Sequence, residues 1–392
     1  MCRRCLAKQQ GRTISSQEGR LPPPLPPPSG AAKLTNRRLI LLHGPEAPKF
    51  LQGIITNNLR PESRAGFYAA FLTATGKVLN DVFIYPTLGS AWHKEANKDA
   101  EQGYLIEVDA DDAANLVKHI KKHKLRSKFK LRMLDEGELD VWSSWREDER
   151  WTPHTQATTE DGTINLIDCR APGMGQRILL PSTSSDGGQA GNHASLAEVD
   201  EAPLSAYTIR RYLRGVPEGQ SEIPREDALP MNYNIDLMGG IDFRKGCYIG
   251  QELTIRTHHT GVVRRRVLPC LLYEYFEGQK MDTLDYDPSA EIAKIVVNHD
   301  ADIRAMNGKK RKIGKWIASN VGNVGLGMCR LENMTDLTIS AEGNKFNAET
   351  DRFVVSGHSP ITEGNIDIGV KAFVPDWLRG GIREPKIQKR VE

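Results

Sequence analysis

A chain of 392 residues is too long for one ordinary domain, so two or three modules are expected. Its hydrophobic content of 39% and charged content of 26% are those of a soluble globular protein, and no apolar run approaches the length of a bilayer-spanning helix. The formal charge of +3 is concentrated at one end: residues 1–30 carry Arg3, Arg4, Lys8, Arg12 and Arg20 against Glu18, which leaves −1 for the rest and argues against a nucleic-acid-binding body.

That N-terminal segment, with its arginines, Ser and Thr and near absence of acid, has the pattern of a mitochondrial targeting peptide. The bland alternative is a tail with no address. The run from Pro22 to Pro28 predicts an extended spacer. Cys2 and Cys5 form a C-x-x-C without a second pair, a weak metal signal. Arg38–Leu42 reads as a buried strand, broken by Gly44-Pro45, and residues 46–59 have helical spacing at Ala47, Phe50, Leu51, Ile54 and Ile55. Strands Phe67–Thr73 and Lys77–Pro86 follow, joined by a turn at Ala74-Thr75-Gly76. Residues 89–103 read as a polar surface insertion, Tyr104–Val108 as a strand, and Asp111–His123 as a helix whose acidic start and basic end suit its dipole. This order predicts an α+β layer with helices on an antiparallel sheet. Ile164–Ile167 and Arg177–Leu180 are further strands, residues 182–202 a Ser/Gly/Asp-rich loop, and Leu204–Arg214 a helix stopped by Gly215 and Pro217. Residues 216–243, rich in Pro, Asn, Asp and Gly, are expected to wander over the surface. From Val262 onward the pattern turns to β, with strands at Arg266–Tyr275, Lys315–Ser319, Gly325–Arg330 and Phe353–Ser356 of a small barrel or sandwich, and an insertion-like basic stretch from Tyr286 to Lys312.

The most informative stretch is Arg244-Lys245-Gly246-Cys247-Tyr248-Ile249-Gly250-Gln251-Glu252-Leu253. Glycines beside a thiol permit φ > 0 and the close approach of another backbone or a ligand. Arg244 and Lys245 are placed to favour the thiolate, the form of sulfur that binds metal. Tyr248, Gln251 and Glu252 suit a supporting role, orienting the loop by hydrogen bonds. The bland reading of Cys247 is a buried structural thiol; the glycine and cation setting favours a ligating one. Glu252–Thr257 is open between helix and strand. His258-His259 would point to opposite faces of a strand, so at most one could join Cys247. Cys169, Cys270 and Cys329 are scattered too widely for a disulfide framework or a zinc site, which fits a reducing compartment. There is no phosphate-binding Walker loop, zincin helix, nucleophile elbow or dinucleotide fingerprint, and Gly322-x-x-Gly325-x-Gly327 lies in presumed barrel strands.

The run Lys245-Gly246-Cys247-Tyr248-Ile249-Gly250-Gln251-Glu252 resembles the hallmark K-G-C-Y-x-G-Q-E of the YgfZ/GcvT family, and its continuation Leu253-Thr254-Ile255-Arg256-Thr257-His258-His259-Thr260-Gly261 is similar to the mitochondrial branch. The likeness extends through Gly44-Pro45-Glu46-Ala47, Phe50-Leu51-Gln52-Gly53, Thr56-Asn57, Arg214-Gly215-Val216-Pro217, Glu222-Ile223, Leu229-Pro230, Asn234-Ile235-Asp236, Gly314-Lys315 and Gly325-Leu326. It departs at Asn232, where the family has Glu. The resemblance implies an α+β fold with a three-part ring: two ferredoxin-like portions and a C-terminal β-barrel around a central channel. It implies an iron–sulfur assembly factor of the mitochondrial matrix, acting late in [4Fe–4S] protein maturation with A-type carrier proteins. The implied clients are apo-enzymes such as aconitase, biotin synthase and lipoyl synthase. On that view Cys247, with Arg244, Lys245, Gly246, Tyr248, Gly250, Gln251 and Glu252 around it, shares a transient iron–sulfur cluster with a partner, since one thiolate cannot supply the usual four ligands.

In the aminomethyltransferase relatives the channel holds tetrahydrofolate, and Asp81 in Gly76-Lys77-Val78-Leu79-Asn80-Asp81 matches their carboxylate near the folate. A carboxylate there could steer a proton; the bland reading is a hairpin residue. Their G-Y-T-G-E element has no counterpart between Ser182 and Ala202, their K-x-x-F-I-G-K/R-E is replaced by the cysteine version, and Asn80 stands for their first aspartate. Turnover of a small molecule is therefore not expected. Three readings remain: an assembly factor that ligates through Cys247, a folate-dependent one-carbon transferase using Asp81, and a non-ligating scaffold. The expected parts are a presequence and spacer (1–33), an N-terminal folate-binding-like region (34–180), a loop (181–203), the helix and cysteine segment (204–261), a C-terminal barrel (262–380) and a tail (381–392).

Overall fold

The computed structural model describes residues 21–96, 102–147, 163–182, 196, 199–275, 281–306, 311–340, 343, 345–359 and 364–382. Residues 1–20 of the segment read as a targeting peptide, with Cys2 and Cys5, lie outside these residues. The proline run has no regular secondary structure and rests on the body: Trp145 Nε1 donates to Pro27 O at 3.0 Å and Tyr286 OH donates to Pro23 O. Small apolar residues then enter the core as strand β1 (Ser29–Lys33), inside the stretch expected to be spacer. Prolines cannot donate, but their carbonyls accept, which is how this segment is held.

Two antiparallel sheets form the first two portions. In chain order come β2 (Arg37–His43), helix α1 (Ala47–Ile54), β3 (Phe67–Leu72), β4 (Val78–Pro86), α2 (Ala91–Ala96), β5 (Gly103–Asp109), α3 (Ala113–Lys124), β6 (Lys130–Met133), β7 (Leu139–Arg146), β8 (Ile164–Ile167) and β9 (Gln176–Pro181). The larger sheet has strand order β3-β4-β5-β2-β6, and the smaller β1-β7-β9-β8. Alternating faces of β2 feed two cores: Leu39 and Leu41 pack toward the smaller sheet, Ile40 and Leu42 toward α1 and α3.

Several elements differ from the sequence reading. α1 stops at Ile54 rather than Leu59, because Thr56 and Asn57 are drawn into contacts with a distant segment. The expected insertion at 89–103 contains α2, whose His93 is buried and whose Nδ1 lies 2.8 Å from Thr87 Oγ1. Residues 216–243 do not wander over the surface: Val216, Glu218, Ile223, Met231, Asn234, Ile235 and Met238 are buried. Their main chain is satisfied by a 3₁₀ turn at Pro230–Tyr233 and by side chains, as where Asn234 Nδ2 donates to Val267 O at 2.8 Å.

Helix α4 (Leu204–Arg214) ends on Gly215 in the left-handed conformation (φ +71°), as its sequence predicts. Helix α5 (Gln251–Thr260) resolves the helix-or-strand question as helix. The third portion contains β10 (Arg265–Tyr273), β11 (Asp302–Ala305), β12 (Lys312–Trp316), β13 (Val324–Arg330), α6 (Leu331–Met334), β14 (Phe353–Ser359), β15 (Gly364–Ala372) and α7 (Asp376–Gly381). Its six strands close in the order β10-β13-β12-β11-β14-β15, with Cys270 of β10 opposite Ala372 of β15. Closure removes both sheet edges. The glycines of β13 make room inside the barrel: a Cβ on Gly325 would meet the Trp316 ring at 2.2 Å.

Candidate functional site: a pinned cysteine loop

The C-terminus of α1 carries carbonyls with no partner inside the helix. Lys245 supplies one. Its ammonium donates to Gln52 O (2.7 Å), Ile55 O (2.7 Å) and Asn57 O (2.9 Å), so all three donors are used. A cation at a helix C-terminus is favoured by the dipole. Burial lowers the Lys245 pKa to about 8, with Asp242 acting in the opposite sense, and the Tyr248 ring lies 4.9 Å from the ammonium. Lys245 therefore anchors the loop to α1, and its hydrogen-bonding capacity is not directed at the thiol.

The rest of the segment is tied to the same place. Thr56 Oγ1 donates to Gly240 O (2.6 Å), Asn57 Nδ2 to Gly239 O (2.8 Å), Asp242 N to Thr56 O (3.1 Å) and Ile249 N to Gly53 O (3.2 Å). Asp242 Oδ1 accepts from Arg244 N at 2.8 Å, which turns the chain just before the cysteine. Gln251 Oε1 accepts from Tyr248 N at 3.1 Å and so closes the loop onto the start of α5. Tyr248 is buried, and burial followed by the Asp242 charge pushes its hydroxyl up to about 12. Glu252 is exposed in the first turn of α5, where a carboxylate suits the helix N-terminus. Arg244, Gly246 and Cys247 are exposed.

The other backbone that a glycine was expected to admit is the β3–β4 turn. Gly250 has φ +82°, and a Cβ there would lie 2.2 Å from Thr73 O; a Cβ on Gly76 (φ +83°) would lie 3.0 Å from Gly250 O. The two glycines thus bring the turn and the loop into main-chain contact. Gly246, by contrast, has open space where its Cβ would stand.

The His258 ring stacks on Phe243 with centroids 3.5 Å apart and planes at 16°, fastening α5 to the approach of the loop. His259 is exposed one position further along the helix. Among the described residues no group of three or more His, Cys, Asp or Glu side chains is placed to hold a metal ion. Cys270 and Cys329 are buried in the barrel with their sulfurs 4.0 Å apart. At Cys169, desolvation and then the Asp168 carboxylate push the thiol up to about 11.

Asp81 belongs elsewhere. It lies on β4, fully buried, with Oδ1 accepting from Gly219 N at 3.0 Å and Oδ2 without a hydrogen-bond partner. Desolvation raises its pKa; Arg37 acts the other way. It borders a buried ionic cluster that sequence reading did not foresee. Arg170 Nη1 donates to Glu218 Oε2 (2.8 Å) and its Nε and Nη2 grip Asp168 at 2.9 and 2.7 Å. Arg177 donates to Glu107, Glu218 and Tyr207, and its guanidinium lies 4.0 Å over the Phe83 ring. Arg37 Nε donates to Glu107 Oε1 at 2.8 Å, while Arg211 holds Glu222 through two 2.8 Å bonds. Against the upward push of burial, Arg177, Arg170, Arg37 and Arg211 hold Glu218 well below the usual carboxylate range. The cluster joins β2, β4 and β5 of the larger sheet to β9 of the smaller and to α4. Its one sequence signal is an arginine set against an apolar strand, Arg177-Ile178-Leu179-Leu180.

No family model matches the chain. It is 42% identical over 412 residues to the "Iron-sulfur cluster assembly factor IBA57 homolog, mitochondrial" of Coccidioides immitis, covering 100% of this chain and 95% of that protein. The protein of the same name from Pyricularia oryzae is 46% identical over 360 residues, covering 90% and 86%. The crystal structure of glycine cleavage system aminomethyltransferase T from Bartonella henselae superposes with a TM-score of 0.56 at 12% identity, covering 89% of this chain and 86% of that one. That likeness establishes the fold, and with the closed barrel it bears out the expected architecture. The resemblance first drawn from residues 245–252 extends over the whole chain at these identities, and the chain belongs to the family of mitochondrial iron–sulfur cluster assembly factors.

Proposed function

We propose that this protein acts late in the maturation of [4Fe–4S] proteins in the mitochondrial matrix, lending the Cys247 thiolate to a cluster shared with an A-type carrier. The family makes it a mitochondrial iron–sulfur cluster assembly factor, and so a protein that meets iron–sulfur proteins. No helix among the described residues is long and apolar enough to cross a membrane. The observation that carries the finer reading is an exposed thiol on a loop tied down on either side, by Lys245 before it and by Tyr248 and Gly250 after it. A cluster normally takes four ligands, so one sulfur serves by bridging to a partner's cysteines. The cluster is then cargo, bound for apo-enzymes such as aconitase, biotin synthase and lipoyl synthase. Holding the loop still lowers the entropy lost on ligation.

Anaerobic mixing of cluster-loaded carrier with the wild-type chain and with Cys247→Ser tests this. The wild type is expected to change the iron–sulfur absorption and circular dichroism, and the variant to leave them as in carrier alone while keeping its own fold. Identical spectra with both chains would instead support a non-ligating scaffold.

A second reading rests on the buried polar atoms left without hydrogen-bond partners beside Asp81: Asp81 Oδ2, Arg37 Nη1 and Nη2 and Tyr68 OH. Such groups fit the donor and acceptor edge of a polar heterocycle, and tetrahydrofolate bound there would accept and carry a one-carbon unit. Calorimetric titration with tetrahydrofolate decides it: saturable binding that Asp81→Asn abolishes supports this reading, and no heat of binding ends it.

A further inference from the structure

Four arginines converge on one mouth of the barrel. Arg264 and Arg265 lead into β10, Arg330 closes β13, and Arg311 precedes β12. In the β10–β13 ladder Arg265 stands directly opposite Arg330, and the pairing of Gly314 with Cys329 brings the start of β12 beside the end of β13. Leu331 N donates to Arg264 O at 3.1 Å, which closes the group. Like charges directly opposite each other in a ladder are destabilising.

Three neighbouring cations of the barrel are matched. Lys312 meets Asp302 at 2.5 Å, Arg304 meets Asp367 at 2.6 Å and Lys315 meets Asp300 at 3.0 Å. Among the described residues, none of the four rim guanidiniums has a carboxylate at such a distance. Glu332 feels Arg264, but its oxygens accept from Ile339 N, Ser340 N and Ser340 Oγ. Burial and then the charges of Arg265, Arg311 and Arg264 lower the pKa of Arg330, in keeping with the like charges gathered around it. Arg264, Arg265 and Arg311 are exposed and Arg330 is half-buried.

We infer that this arginine rim is a docking surface for a carboxylate-rich face of a partner protein. Guanidinium forks match carboxylates in paired hydrogen bonds, and a cluster that repels itself in the free chain gains most from such a face. Lipid is a poorer occupant, because the adjoining segment exposes one large apolar side chain, Val262, where an interfacial element needs a whole apolar face. Nucleic acid is poorer too, because the chain beyond residue 30 carries a formal charge of −1. The rim is also continuous with the cysteine loop: α5 begins at Gln251, just after that loop, and its C-terminal end leads through Gly261 to Arg264. Ten helical residues span about 15 Å, within the reach of an interface of about 800 Å² per partner. One protein can therefore engage thiol and rim together. This deepens the proposed function, on which it rests for the partner's identity.

The test measures association of the purified carrier with the full chain by stopped flow at low and high salt, for the wild type, Arg330→Glu, Arg265→Glu/Arg330→Glu and Cys247→Ser. For the double variant the association rate should fall about tenfold, and the wild-type rate should fall with salt. Arg330→Glu places opposite charges across the ladder, so its Tm should equal or exceed that of the wild type while association slows; a merely structural residue would not separate the two. A double variant that binds like the wild type overturns the docking surface, and if Cys247→Ser still loses the shared-cluster spectrum the ligation reading stands. A Cys247→Ser chain that keeps the spectrum while the arginine variants lose binding upholds the docking surface and ends the ligation reading. Failure of the wild type to bind the carrier sinks both. Retention of anionic vesicles or duplex DNA by the wild type but not the double variant, with the carrier unaffected, also overturns the inference.

Discussion

Lys245 and Gly250 show how much of a motif can be scaffolding. The Lys245 ammonium satisfies carbonyls that α1 leaves open, so Lys245→Met keeps the stem but strands those acceptors. The variant should lose about 2 kcal/mol. Its effect should also be local, with faster amide exchange at Asp242 and Ile249 seen by mass spectrometry. The two glycines flanking Cys247 should respond differently. At Gly250 an added methyl meets Thr73 O at 2.2 Å under a positive φ, so Gly250→Ala should cost about 2 kcal/mol or more in chemical unfolding. Gly246 faces open space, and Gly246→Ala should cost about 0.5 kcal/mol or less. The spacing of the motif is legible in the sequence; which glycine is sterically required is not, because the obstructing oxygen comes from residue 73.

At the scale of elements, the ionic cluster holds two sheets and α4 together. Removing one member leaves a buried charge without its partner, so Arg177→Met should cost about 3–5 kcal/mol by denaturant titration. The pH dependence follows from Glu218 and Asp168. Burial pushes the Asp168 carboxyl up, but Arg170 and Arg177 prevail and leave it below its ordinary value, as the arginines do for Glu218. A carboxylate whose folded pKa is depressed stabilises above the unfolded value and loses that contribution as pH falls through the folded one. Wild-type stability should therefore decline as pH drops below about 4. Glu218→Gln should be less stable at neutral pH and show a shallower decline. Local signals gave good bounds where they agreed with the tertiary packing. α4 runs from Leu204 to Arg214 as its apolar spacing and Gly215 imply, and β3 and β4 flank the expected turn. They failed where distant groups intervened. α1 ends early because its following residues bond to Gly239 and Gly240. β6 and β11 alternate polar and apolar residues over only four positions, too short a run to stand out, while the alternation of Ile366, Ile368 and Val370 in β15 was a legible signal left unread.

For the molecule as a whole, the barrel, the two sheets and the family were within reach of the sequence, through one specific motif and the likeness around it. The buried arginines were not, since their partners are spread over residues 37 to 222 and only folding collects them. Because the cluster spans both sheets, they should open as one cooperative unit. Hydrogen exchange of β4 and β9 should speed up together in Arg177→Met while the barrel strands keep their protection. The contact between Gly76 and Gly250 has a further consequence for anyone engineering the protein. A short hairpin tip is ordinarily a permissive place to splice in a tag, a reporter or a loop from a homologue. Here Thr73 to Gly76 is pressed main chain to main chain against the thiol-bearing segment, so lengthening that tip should disturb cysteine presentation from a point far away in sequence.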